Sequence, residues 1–176
     1  MTDDWSRDLT TRTGHQFHVR PVNERDERAL AEFFTHVTPD DLRFRFLNGL
    51  NVVGHDRLDA MTQVDHRQTE NFLAFAEDGR TVIASAVLAC DAAMDTGEVA
   101  ISIRSDYKNR GISWELLAHV ARYAQFKGVE TLQSIESYDN HAAIELERDM
   151  GFTARTYPGD PTLVVVERKL PLPVTV

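Results

Sequence analysis

Two hydrophobic periods alternate along the second half of the chain. Val99, Ile101 and Ile103 are interleaved with Ala100, Ser102 and Arg104, a period of two that predicts a strand with two differently used faces. From Ser113 to Phe126 the apolar residues Trp114, Leu117, Ala118, Ala121, Tyr123, Ala124 and Phe126 recur at three- and four-residue steps, which predicts a helix. Residues 130–137 read as a second strand and 140–150 as a second helix, with Asn140 at its start and Gly151 closing it before a strand from Phe152. After a turn at Pro158 to Pro161, a last strand is expected over 162–169.

The first half follows the same logic with weaker signals. Residues 1–16 are polar and aperiodic and read as a flexible tail, with Trp5 as the residue able to dock it. Phe17 to Val22 reads as a strand, and Asn23 as the cap of a helix over 24–36 whose apolar face is Leu30, Phe33, Phe34 and Val37. Thr38-Pro39-Asp40-Asp41 starts another helix, with Thr38 as cap, Pro39 in the first turn, carboxylates at the positive end of the dipole and Gly49 as the stop. Residues 51–70 carry no clear period beyond a short helix at 55–61. Residues 71–77 and 80–90 read as a hairpin closed by Asp78-Gly79.

Composition narrows the function classes. A chain of 176 residues suits one domain, expected over 17–170 with a short surface tail at 171–176. A net charge of −9 disfavours nucleic acid, and the absence of a long apolar run or a leader-like start gives no membrane call and a cytoplasmic expectation. Cys90 is the only cysteine and lies in an apolar run, as a small buried side chain rather than a nucleophile. His55 and His66 show no metal-ligand spacing, so no metal is expected.

Chemistry enters at the turn between the first strand and helix. The opening N–H groups of a helix have no internal partner and carry partial positive charge, Gly111 allows close approach, and Lys108 and Arg110 add cationic charge. A phosphate or pyrophosphate fits there. A glycine required by turn geometry alone is the plain alternative.

Lys108-Asn109-Arg110-Gly111-Ile112-Ser113, Asn140-His-Ala-Ala143 and Gly151-Phe152 together resemble the GNAT superfamily of acyl-CoA-dependent N-acyltransferases. Residues 38–46 are further similar to a helix in bacterial Pat-type protein-lysine acetyltransferases. The resemblance implies an α/β (α+β) fold: a mixed, mostly antiparallel sheet of about six to seven strands, flanked by about four helices and splayed between its fourth and fifth strands. It also implies acetyl-CoA as co-substrate, without a metal. The acceptor it implies is a primary amine, with a protein lysine as the first expectation, and the chain would be a monomer or homodimer. By the same resemblance Ile101, Ser102 and Ile103 hold the pantetheine arm, residues 108–113 the pyrophosphate, Asn140 the arm or its neighbouring strand unless it only caps its helix, and Ala143 belongs to the cofactor-binding set. Lys108 and Ser113 depart from the usual motif residues.

An alkylamine has a pKa near about 10.4, so a base must remove its proton at neutral pH. Glu98 is the candidate. It precedes Asp106 by roughly 26 Å of straight strand, at about 3.3 Å per residue, far from the phosphate turn. The Pat-type resemblance also implies a glutamate base at the start of this strand. Many family members carry a tyrosine four residues before the closing glycine to protonate the departing thiolate. Here Glu147 stands there, and Tyr138 or water is the candidate replacement. The competing readings are a small-molecule amine or polyamine acetyltransferase and a catalytically silent acyl-CoA sensor.

Overall fold

The computed structural model describes residues 4–47 and 53–171. Eight strands form one sheet in the order β1-β2-β3-β4-β5-β6-β8-β7, with five α-helices packed on its faces. The sheet holds more strands than expected because residues 4–16 are not a loose tail. Arg7–Thr10 forms β1, paired antiparallel with β2 (Gln16–Pro21), and Trp5 is buried edge-on against Tyr123 and His119. An indole buries enough apolar area to hold a polar segment down, and the pairing satisfies its backbone.

Asn23 caps, as expected, but it caps a turn of tight helix over Glu24–Asp26 rather than the long helix itself. Asp26 completes a reciprocal capping box, and α1 then runs Glu27–Phe34 with Leu30, Phe33 and Phe34 buried. Thr38 Oγ1 accepts from Asp41 N at 3.1 Å and starts α2 (Pro39–Phe46). That helix stops at Leu47, which takes a left-handed conformation at φ 54°, while the expected stop Gly49 lies outside the described residues. The segment without a clear period contains α3 (His55–Thr62).

β3 (Thr69–Phe75) and β4 (Val82–Cys90) form the expected hairpin, with Gly79 at φ +68° and Asp78 Oδ1 accepting from the N–H groups of Arg80 and Thr81. β5 (Thr96–Ile103) pairs antiparallel with β4 along its length. A tight turn and Gly111 lead into α4 (Ile112–Phe126), then β6 (Thr131–Ser137), α5 (His141–Asp149), β7 (Thr153–Tyr157) and β8 (Asp160–Lys169). Phe126 leaves the apolar stripe of α4: it is exposed, with its ring 5.4 Å from that of Trp5. Cys90 is buried, and burial pushes its thiol pKa up, away from nucleophile chemistry.

β5 and β6 are parallel, and they pair only over Thr96–Glu98 against Thr131–Gln133. Beyond Glu98 the two strands part, so the sheet splits where the splay was expected. α4 and α5 contribute Leu116, Leu117, Val120 and Met150 to one core beneath the sheet, together with Phe72, Leu88 and Leu132. α1, α2 and α3 cover the other face with a second core around Leu30, Phe33, Leu73 and Phe75. No helix among the described residues is long and apolar enough to cross a membrane.

Candidate active site

A cavity of about 300 Å³ fills the split between β5 and β6. One wall is β5, where Ile101 and Ile103 are half-buried, packed against the core on one side and lining the cavity on the other. Ser102 is buried on this wall, and its Oγ has no hydrogen-bond partner among the described residues. Ser102, Ser85 and Leu73 lie in one register row across β5, β4 and β3. Ser85 Oγ is engaged by Asn71 Oδ1 at 2.9 Å, which leaves Ser102 the orphan of the row. A buried hydroxyl without a partner is costly unless something else reaches it.

The start of α4 forms one end. Gly111 sits at φ +83°, where a side chain would be strained, and a Cβ there would lie 3.3 Å from Thr11 Cβ of the β1–β2 connection. No side chain caps the helix, so the opening N–H groups at Ile112 and Ser113 are left to the cavity they line. Asn109, at φ +63°, also lines it. Lys108 lines the cavity too but is spoken for: its Nζ donates to Asp41 Oδ2 of α2 at 2.6 Å. Arg110 points to a neighbouring cavity shared with Arg12 and Trp114, and its guanidinium stacks 4.8 Å from the Tyr107 ring. The anion-binding character of this end therefore rests on backbone N–H groups more than on the two cations.

The opposite wall is polar and acidic. Ser134 and Glu136 project from one face of β6, and Glu147 reaches toward them from α5, all three lining the cavity. Asn140 begins α5 as expected, yet makes no capping hydrogen bond; its Nδ2 donates to Glu136 Oε2 at 3.2 Å. Ala143 completes this wall. Arg45 enters from α2, and the desolvation that lowers its pKa is opposed by the charges of Glu98 and Glu136.

Glu98 stands at the last paired position, opposite Gln133, where β5 and β6 begin to part. It does not line the main cavity and keeps solvent access. The surrounding protein still desolvates its carboxyl enough to raise its pKa, which Arg45 opposes and Glu136 reinforces. Tyr138 is 61% exposed and lies off the cavity wall, its ring 6.1 Å from that of His141. Sequence reasoning missed Asp41, Arg45, Ser134 and Glu136 as cavity residues. Only the tertiary approach of α2 and β6 marks them. Away from the cavity, Glu27, His55 and Asp59 each place one ligand atom within 4.8 Å of the others, across α1 and α3, with no ion present.

Residues 28–152 match the model of the acetyltransferase (GNAT) family. The chain belongs to the GNAT acetyltransferases. An acetyltransferase of Pseudomonas aeruginosa is 30% identical over 168 residues, which cover 93% of this chain and 88% of that one. Among solved structures, the GNAT domain of S. lividans PAT aligns with a TM-score of 0.89 at 22% identity, over 97% of this chain and 99% of its own. A ribosomal-protein-S5-alanine acetyltransferase from Vibrio fischeri aligns with a TM-score of 0.71 at 12% identity, over 93% and 96% of the two chains. A cAMP-binding acyltransferase from Mycobacterium smegmatis aligns with a TM-score of 0.66 at 21% identity, over 94% of this chain but 47% of its own. At such identities the structural likeness speaks for the fold, and GNAT members use acetyl-CoA to acylate amines.

Proposed function

We propose that this GNAT acetyltransferase transfers an acetyl group from acetyl-CoA to a primary amine, with a protein lysine as the acceptor and Glu98 as general base. The observation that carries the reading is the split itself. It joins an uncapped helix start, suited to a pyrophosphate, to a group of carboxylates suited to an amine. The residues fit the co-substrate: Gly111 has no Cβ to block the turn, and Ser102 Oγ is a buried polar atom in need of a partner. In this reading residues 109–113 cradle the pyrophosphate and Ile101 to Ile103 line the path of the pantetheine arm. Acetyl-CoA supplies the activated acyl group.

The remaining chemistry belongs to the chain. Glu98 has a raised pKa, which makes it a stronger base than a free carboxylate, and it sits at the mouth of the split on the α2 side. Arg45 keeps it ionised by charge, whereas Glu136 pulls the other way. Tyr138, exposed and off the cavity wall, supplies no obvious proton to the leaving group. The lysine acceptor rests on the similarity of residues 38–46 to Pat-type enzymes and on the chain's likeness to the PAT domain.

A second reading is favoured by the clustering of Glu98 and Glu136, two carboxylates that share the single guanidinium of Arg45. That excess of negative charge also suits a small polyamine. Initial rates with lysine peptides and with spermidine, for wild type and Glu98→Gln, separate the readings. We expect Glu98→Gln to lower kcat/KM by about 10²–10³-fold while acetyl-CoA binding by calorimetry is kept. Wild-type rates from Glu98→Gln would remove the base assignment. Binding without turnover on either acceptor class would indicate a silent sensor domain.

A further inference from the structure

Ser134 Oγ lies 2.8 Å from Glu136 Oε1 and 2.8 Å from Glu147 Oε2. A hydroxyl carries a single proton, so it can donate to only one of them. Were both carboxyls ionised, the other contact would set two oxygen lone pairs against each other at hydrogen-bond distance. One carboxyl must therefore be protonated and donate to the serine oxygen.

The surroundings decide which one. Glu136 accepts a second hydrogen bond from Asn140 and lies in the field of the Arg45 guanidinium. Glu147 is 6% exposed, and among the described residues no cation bonds to it. Burial first, then the hydrogen bond and charge of Glu136, raise its pKa well above the carboxylate range, against a smaller lowering by Ser134. The relay thus runs from the Glu147 O–H to Ser134 Oγ, and from the Ser134 O–H to Glu136.

Resting on the function proposed above, we propose that Glu147 is a catalytic residue that delivers this held proton to the leaving thiolate. The amine nitrogen bonds to the thioester carbonyl carbon, the carbon–sulfur bond breaks, and the sulfur keeps the bonding pair. Rotation about the last side-chain bond of Glu147 turns its O–H from Ser134 into the cavity it lines, and the proton passes to sulfur. Glu147 is left as a carboxylate, accepting from Ser134. The proton that Glu98 took from the ammonium leaves to water; the second proton, which the nitrogen sheds as the amide forms, passes through water to the Glu136–Glu147 pair and restores it. A carboxyl of ordinary pKa, about 4.3, would have no proton to give at neutral pH, whereas Glu147, raised to about 10, still holds one; its transfer to the expelled thiolate, whose thiol has a pKa of about 8.5, is slightly uphill and is drawn on by formation of the amide.

The charged groups facing the relay are Glu136 on β6, Arg45 on α2 and Glu98 on β5. Infrared difference spectra of carboxyl-labelled protein test the proton directly. At neutral pH wild type should show the C=O band of one protonated buried carboxyl, absent from Glu147→Gln. The same variant should bind acetyl-CoA in the calorimeter, confirming its fold, turn over about 10²-fold more slowly, and lose the alkaline fall of kcat that wild type shows as the pair deprotonates. Absence of the band, or a wild-type kcat and pH profile in Glu147→Gln, overturns the proposal. A wild type with the band that acetylates no amine overturns the catalytic role together with the proposed function, yet leaves the shared proton standing.

Discussion

Asp26 and Glu147 are both acidic, both buried, and shifted in opposite directions. Asp26, 7% exposed in the turn before α1, is pushed up by burial, but two hydrogen bonds from Arg20 at 2.8 Å and one from Asn23 N at 2.7 Å outweigh that and leave its pKa lowered. Glu147, equally hidden in the split of the sheet, meets another carboxylate and a shared hydroxyl, and its pKa is raised. Burial is common to both; the partner decides. Where the role is to fasten β2 to the entry of α1, a cation and a backbone N–H pin the carboxylate charged. At the cavity the charge is left uncompensated, and the group is kept neutral at a cost in stability.

The contrast can be broken most forcefully at Asp26. Asp26→Ala strands the partly buried Arg20 and removes half of the capping box, so urea unfolding at pH 7 should show a loss of about 3 kcal/mol. The carboxylate's contribution is present above its unfolded pKa and disappears as pH falls through the lowered folded value. The gap between variant and wild type should accordingly close in acid. A loss under about 1 kcal/mol would mean that the pair merely accompanies the fold.

Glu147→Gln should act with the opposite sign. The folded protein holds a proton that the unfolded chain releases above the ordinary glutamate value of 4.5, so wild type loses stability as pH rises from there toward the raised folded value. Gln carries no such penalty and can still bond Ser134. We expect the variant to match wild type near pH 4 and to exceed it by about 1–2 kcal/mol in alkali. A variant less stable than wild type at every pH would sink the comparison.

The smallest change sharpens it. Ser134→Ala deletes the bridge and leaves Glu136 and Glu147 with no hydroxyl between them. About 1 kcal/mol should be lost at neutral pH. The direct contact between Glu136 and Glu147 then holds the proton alone, so the protonated-carboxyl infrared band should persist with a shifted frequency.

Much of this fold could be read along the chain because its signals are local. The period of two before Arg104, the period near 3.6 after Ser113, Thr38 as a cap and Asp78-Gly79 as a turn each depend on neighbours a few residues away. The turn at Gly111 was legible for the same reason, since the missing Cβ and the free N–H groups of a helix start are local facts. Local signals misled where a distant partner intervened. Residues 7–10 are polar and yet form a strand, because β2 offers an edge and α4 a seat for Trp5. Asn140 starts its helix but spends its amide on Glu136. Lys108 sits at the turn before α4 and is drawn to Asp41.

By itself, then, the sequence determined the order of the elements, the phosphate-sized turn and the position of Glu98 at the start of β5. Only the tertiary structure decided where the sheet parts, that Arg45, Glu136 and Glu147 meet in the gap, and that Ser134 must share one proton between two carboxyls. The reason is physical: periodicity and turns depend on bonds between near neighbours, whereas a carboxyl's charge depends on which side chains from β6, α5 and α2 are packed within a few ångströms of it.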